Sequence, residues 1–423
     1  MLDLRFVREN PEAVKENCEN RGVEVDVDLV VNLADRRSEL IQELNQLRRR
    51  QNEMARSVGQ ERDPEKREGL IIESRRMKEF IPESEAELAA VEGRLREEML
   101  KIPNMTHSDV PIGKDDTENV EIRREGEIPD FGFEPKDHVE LGELSGTIDF
   151  EAGTKVAGSK FYFLRGDAVL LELGLVRYAL DNLIERGYEP TITPDLARDE
   201  VLVGTGFIPR GPETQIYSIE DSDLSLIATA EITLAGSLAG EILNEDRLPI
   251  RLAGLSHCFR TEAGSHGRAS RGLYRVHQFT KVEMFAFTTP EQSEAMHEEM
   301  LGIEEEIFQG LGLPYRVVEI CTGDLGAAAY RKFDLEAWMP GRDAYGEVTS
   351  TSNTTDYQAR RLQIRYRKNG GRPHLLYTLN GTAIAVSRAL IPILENYQQE
   401  DGSILIPEAL IPYVGKKVLE PAG

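Results

Sequence analysis

From about Leu29 to Lys101 the chain is nearly free of glycine and rich in Glu, Arg, Leu and Gln, which leaves few folds open to it except long helix. Leu33, Leu40, Ile41, Leu44 and Leu47 fall on one stripe at helical spacing, and Leu70, Ile71, Met77, Leu88, Val91, Leu95 and Met99 form a second. A polar break from Gly59 to Pro64 separates the two runs. Neither stripe can stay exposed to water, so the expected closure is an antiparallel helical hairpin. Pro82 falls inside the second run, where it removes a backbone donor and is expected to kink or interrupt the helix. Residues Met1 to Gly22 read as a short helical layer returning the chain to the base of that hairpin.

Charge is uneven along this arm. Between Arg48 and Lys78 ten basic residues, including Arg48, Arg49, Arg50, Arg56, Arg75 and Arg76, stand against six acidic ones, while the whole chain carries a net charge of −25. So acidic a body argues against the broad basic surface of most nucleic-acid binders, and any contact with a polyanion must be local. The basic tip of the hairpin is the place for it. A solvated helical face laced by intrahelical ion pairs is the plainer reading of the same charges.

At 423 residues the chain exceeds the size at which one core stops growing. The expected division is a helical domain over 1–105, a linker and connecting segment over 106–150, and a body over 151–423. Beyond Glu151 helices alternate with short apolar strands, which predicts an α+β fold. Cys18, Cys258 and Cys321 are odd in number and far apart, so neither a disulfide framework nor a cysteine-based zinc site is indicated, and a reducing cytoplasmic location is expected. No apolar run approaches the roughly 20 residues of a membrane span. The start MLDLRFVRENPEAV lacks the order of a signal peptide, so the expectation is a protein that neither enters a membrane nor is exported.

The chemistry concentrates between Phe259 and Phe285, a hairpin with charges where strand packing would not put them. With a period of two, Val282, Met284 and Ala286 share an apolar face while Phe279, Lys281 and Glu283 share the other. The same parity puts Cys258, Arg260 and Glu262 on one side. Guanidinium and carboxylate buried side by side cost several kcal/mol, of order 3–5, unless each is partnered, so this face is expected to surround a polar ligand of both charge signs. Gly264 to Arg271, mixing glycine, serine, histidine and arginine, reads as a mobile loop that closes over phosphates.

Arg-x-Glu, a glycine-rich loop, then Arg-Val-His-Gln-Phe and Lys-Val-Glu resembles motif 2 of the class II aminoacyl-tRNA synthetases, in the form found in bacterial-type seryl-tRNA synthetases. The helical arm resembles the tRNA-gripping coiled coil of that family. GDAVLLELGLVRYALDNLIERGYEPTITPDLA, ending near Pro194, resembles its dimer-forming motif 1. LLYTLNGTAIAVSRAL, with Arg388 behind what reads as a tight turn at Gly381 that Asn380 shares, resembles motif 3. The likeness spans essentially the whole chain. It implies a class II catalytic domain with a mainly antiparallel sheet, and a homodimer that joins L-serine to ATP and passes it to tRNA-Ser, and to tRNA-Sec where present.

The resemblance also implies roles. Arg260 and Arg388 are the expected catalytic residues. Thr229, Ala230, Glu231, Arg260, Glu283, Asn380 and Thr382 would bind serine. ATP would meet Arg260, Thr261, Glu262, Arg275, Val276, Phe279, Glu347, Val348, Thr349, Ser350 and Arg388, with Mg²⁺ on Glu347 and Ser350. Thr349 and Thr382 stand where serine is commoner in the family. In a regular strand Glu347, Thr349 and Thr351 point one way and Val348 and Ser350 the other, so Glu347 and Ser350 converge only if the strand ends or bulges. Thr229 and Glu231 also suit a plain helix cap with a first-turn acid. A carrier-protein ligase of related fold lacks such a hairpin, and a silent RNA-binding paralogue would lack the arginines.

Overall fold

The computed structural model describes residues 1–207, 215–263 and 272–422, so the expected phosphate loop from Gly264 to Arg271 lies outside the described residues. The chain forms two compact units, Met1–Met105 and Thr106–Gly423.

In the first unit, helices Leu4–Glu9 and Pro11–Asn20 lead into two long helices, Val27–Gln60 and Pro64–Lys101. At 34 and 38 residues these are about 50 and 57 Å long. The turn between them is fixed by chemistry at its exit. Asp63 accepts from the backbone nitrogens of Glu65 and Lys66, and Pro64 occupies the first turn, where its missing N–H is harmless. Burial is densest at the base, where Val7, Val14, Cys18, Val30, Leu33, Leu95, Met99 and Ile102 form one core, and it reaches outward as far as Leu40 and Leu44. Farther out, cross-helix pairs Arg36–Glu87, Arg37–Glu92 and Arg48–Glu85 flank a half-buried seam. The helix continues without a break through Pro82, so the proline does not interrupt it. Pro82 is on the exposed face, so the carbonyl it orphans is open to water.

The second unit is built on an eight-stranded sheet whose spatial order is Val120–Glu125, Tyr315–Glu319, Arg331–Met339, Ala344–Asn353, Tyr377–Ala385, Gln278–Thr288, Ile250–Phe259 and Glu189–Ile192. Every neighbouring pair is antiparallel except the last, where Glu189–Ile192 runs parallel to Ile250–Phe259. Helices Asp167–Glu185, Ser293–Gly310 and Val386–Asn396 share one large core with Val282, Met284, Ala286, Leu335, Leu379 and Ile384 of the sheet. Phe285 and Phe287, of opposite parity, belong to a second core with Ala230 and Leu234 of helix Ala230–Gly236. That helix lies so close to the sheet that a Cβ at Gly254 would come within 2.9 Å of Ala230 Cβ.

Two expectations change here. The segment 106–150, read as linker, supplies the edge strand Val120–Glu125 and the capped helix His138–Ser145 to the second unit. Most of its Pro, Gly and Asp residues flank these short elements rather than forming a tether. Gly381 is not at a turn; it sits within the strand Tyr377–Ala385, paired with Thr351 on one side and Met284 on the other. Glycine is needed there for closeness, since a Cβ would crowd Met284, Thr351 and Glu304 at 3.0–3.1 Å.

Candidate active site

The parity expected of the second limb is what the strand shows. Phe279, Lys281 and Glu283 lie on one face, continuing the line of Phe285 and Phe287, with Cys258, Ser256 and Gly254 directly across on the neighbouring strand. The first limb departs from its expected parity beyond Phe259, where the strand ends. Glu262 takes a left-handed backbone (φ 49°), and its carboxylate meets Arg275 at 3.3 Å instead of extending the strand's face.

One end of the site is a cluster of buried acids. Thr229 caps helix Ala230–Gly236 by accepting from the Glu231 nitrogen, so the cap reading is realised and also aims Glu231 inward. Glu231 Oε1 accepts from Gln358 Nε2 (2.6 Å) and Asn380 Nδ2 (3.0 Å). Burial, reinforced by the nearby Glu283 charge, pushes the Glu231 carboxyl up to about 7. Burial likewise raises Glu283, against the opposing pull of Lys281, with which it forms an ion pair. Lys281 Nζ and Glu283 Oε2 lie 3.5 and 3.4 Å from the Thr382 hydroxyl.

Arg260 stands between this cluster and the rest of the site. Its guanidinium carbon lies 5.3 Å from the Phe279 ring centroid and its Nε donates to the Ala228 carbonyl at 3.4 Å. Its charge acts on Glu231 and Glu283 on one side and on Glu347 on the other. At the far end Arg388 Nη1 pairs with Glu347 Oε2 at 2.9 Å, its Nε points to the Tyr274 carbonyl at 3.4 Å, and its guanidinium lies over the Tyr274 ring. Against burial, which raises it, Arg388 and Lys332 hold the Glu347 carboxyl down at about 2.

The strand Ala344–Asn353 meets the condition under which Glu347 and Ser350 converge. Its register shifts between Leu335–Thr349 and Glu336–Glu347, leaving Val348 as an extra residue. Ser350 is across from Asp334, whose neighbour Lys332 acts on Glu347, so the bulge returns Glu347 and Ser350 to one face. Thr349 and Val348 go the other way. Thr349 donates to Glu304 at 2.9 Å and Val348 is in the main core, so only their backbone groups are left for a ligand. Ala230 and Val276 are buried as well, while Thr261 is half-exposed.

Lys281, Gln358, Lys332, Asp334 and Tyr274 belong to this site and were not among the expected site residues. Strand parity already put Lys281 beside Glu283, and Lys332 and Asp334 alternate in the same way. Gln358 carried no local signal; helix Tyr357–Leu362 brings it to Glu231 from 127 residues away. Arg48, Arg49, Arg50, Arg56, Arg75 and Arg76 are all exposed on the first unit's hairpin.

Comparison with known proteins identifies the family. Residues 1–106 match the seryl-tRNA synthetase N-terminal domain, and residues 216–397 match the tRNA synthetase class II core domain (G, H, P, S and T). The serine–tRNA ligase of Rubrobacter xylanophilus is 74% identical over 422 residues, covering 100% of both chains, and that of Treponema denticola is 56% identical over 98% of this chain and 99% of its own. Among solved structures, the seryl-tRNA synthetase from Pyrococcus horikoshii complexed with ATP superposes with a TM-score of 0.94 at 42% identity over the full length of both. The cytoplasmic serine–tRNA ligase from Naegleria fowleri in complex with AMP gives 0.87 at 35%, covering 100% of this chain and 99% of its own. With both domains matched and its length covered by these relatives, the chain belongs to the seryl-tRNA synthetases, class II ligases that activate serine and transfer it to tRNA-Ser.

Proposed function

We propose that both steps of this reaction run in the site described above, with serine against Glu231 and Glu283 and ATP between Phe279 and Arg388. The pair Glu231 and Glu283 carries the reading. Burial raises both carboxyls and the Glu283 charge raises Glu231 further, and a ligand that brings an ammonium favours their ionised forms. Asn380, Thr382 and Thr229 supply polar groups near the serine hydroxyl, which can bond to them where alanine and glycine cannot, while the Thr382 methyl narrows the room for threonine.

The serine carboxylate attacks the α-phosphorus in line, the bond to pyrophosphate breaks, and seryl-adenylate forms. Catalysis is then mainly positioning and neutralisation of phosphate charge. Arg260 meets the α-phosphate, Phe279 stacks on adenine, Glu262, Arg275 and the backbone at Thr261 and Val276 line the nucleotide site, and Arg388 faces the outer phosphates. In the second step the terminal ribose hydroxyl of tRNA-Ser attacks the carbonyl carbon and AMP leaves. The two solved relatives, one complexed with ATP and one with AMP, support a nucleotide here. Mg²⁺ fits Glu347 and Ser350, because the bulge puts them on one face and Glu347 is ionised; the ion would neutralise phosphate charge, with phosphate oxygens and water as its other ligands.

We also infer a homodimer that acts in the cytoplasm. The edge strand Glu189–Ile192 and the outer stripe of helix Asp167–Glu185 expose Ile192, Leu173 and Leu170, at 83%, 60% and 41%, which favours cover by a second copy. Three buried free thiols suit a reducing compartment, and no helix of the described residues is long and apolar enough to cross a membrane.

Arg260→Ala tests the site. Serine-dependent exchange of pyrophosphate into ATP is expected to fall by about 10²–10³-fold or more with the melting temperature unchanged. Near-normal exchange rejects the assignment.

A further inference from the structure

Outside the substrate pocket, three buried groups tie its phosphate-facing parts together. Glu395 follows Arg388 by two turns on helix Val386–Asn396 and has a side chain 1% exposed. Its Oε1 lies 2.8 Å from Nδ1 of His138, the first residue of helix His138–Ser145, and accepts from the His138 backbone at 3.0 Å. Its Oε2 accepts from the Gly341 backbone at 2.9 Å. The other ring nitrogen, Nε2, is 3.0 Å from the backbone nitrogen of Leu273, which can only be the donor. Nε2 therefore offers a lone pair, and the ring hydrogen sits on Nδ1, directed at Glu395.

This chain of contacts ends at the root of motif 2. Leu273 is fully buried, and Gly272 before it has a φ of 72° that favours glycine. A Cβ at Gly272 would collide with His138 Nε2, so the ring's approach depends on that glycine. The next two residues are Tyr274, whose carbonyl faces Arg388, and Arg275, which meets Glu262. The Val386–Asn396 helix thus grips segment 272–275 twice, through Arg388 itself and through Glu395 and His138.

We propose that His138 is a positioning residue for adenylate formation, holding segment 272–275 in the register that lets Arg275 and Arg388 meet ATP together. This rests on the assignment of those arginines to ATP. His138 itself touches no substrate. A buried His–Glu pair serving only the fold would give a general loss of stability, whereas positioning predicts a selective effect on the nucleotide.

Two variants separate these roles. His138→Asn keeps a donor where Nδ1 stands, and so the Glu395 contact, but cannot reach Leu273. His138→Gln carries its amide out to where Nε2 stands and can accept from Leu273. In serine-dependent pyrophosphate exchange, His138→Asn is expected to raise the KM for ATP about tenfold or more, with the KM for serine within about twofold, and His138→Gln to recover most of that loss. Hydrogen–deuterium exchange of the full-length chain should rise over 272–276 in the Asn variant and not in the Gln variant. Equal ATP KM values with unchanged deuterium exchange overturn the proposal. So does a matched fall in serine use, ATP use and melting temperature in both variants. An inactive unsubstituted chain counts against the ATP-site assignment instead, and the deuterium exchange still decides whether His138 holds the segment.

Discussion

In the proposed serine site, recognition turns on single side chains whose charges depend on one another. Glu231 is raised to about 7 before any ligand arrives, first by burial and then by Glu283. The serine ammonium favours the ionised form, so binding draws a proton off Glu231. The sign follows: below about pH 7 that proton must be displaced, and serine binds more weakly as pH falls. In kcat/KM for serine measured between pH 5.5 and 8, the expected limiting slope is about tenfold per pH unit on the acid side, flattening above about pH 7. Glu231→Gln is expected to remove that inflection while leaving the KM for ATP within about threefold. A profile identical in the variant assigns the titration elsewhere, with Glu283 the other buried carboxyl of the cluster.

At the scale of elements, two irregularities shape the site. The bulge at Val348 decides that Glu347 and Ser350 face the same way, and Thr229 decides where Glu231 points by starting a helix. The helical hairpin divides its work along its length. Its buried core ends near Leu44 and resumes at Leu95, and the basic residues from Arg48 to Arg76 are on the exposed outer part. Replacing residues 48–85 by a short glycine-containing turn is therefore expected to leave the base folded and serine-dependent pyrophosphate exchange within about twofold of normal. Charging of tRNA-Ser should fall by at least about 10²-fold, because several phosphate contacts are lost together. Normal charging by the shortened chain would make the outer hairpin structural only.

For the whole molecule, the proposed homodimer rests on the exposed apolar face around Ile192, Leu173 and Leu170. In a two-fold interface each substitution counts twice. Ile192→Asp removes two buried side chains' worth of apolar burial, about 3 kcal/mol per dimer or more, and should weaken dimerisation at least a hundredfold in Kd. Sedimentation at micromolar concentration, with a monomer expected for the variant and a dimer for the unsubstituted chain, measures it. A monomer in both cases removes the dimer from this account.

The sequence by itself determined the helical arm, its basic tip, the polar face of the Gln278–Thr288 strand and the family likeness, because helical and strand periods are local and the motifs are contiguous. Only the tertiary structure decided that Gly381 lies within a strand, that segment 106–150 joins the catalytic body, and that Gln358 and Asn380 converge on Glu231. The extra residue at Val348 became visible only against its partner strand, and the bond from His138 to Leu273 spans 135 residues. Spacing along a chain fixes which faces side chains share within one element. Which elements meet is set by sheet order and core packing, and those depend on contacts between residues far apart in the sequence.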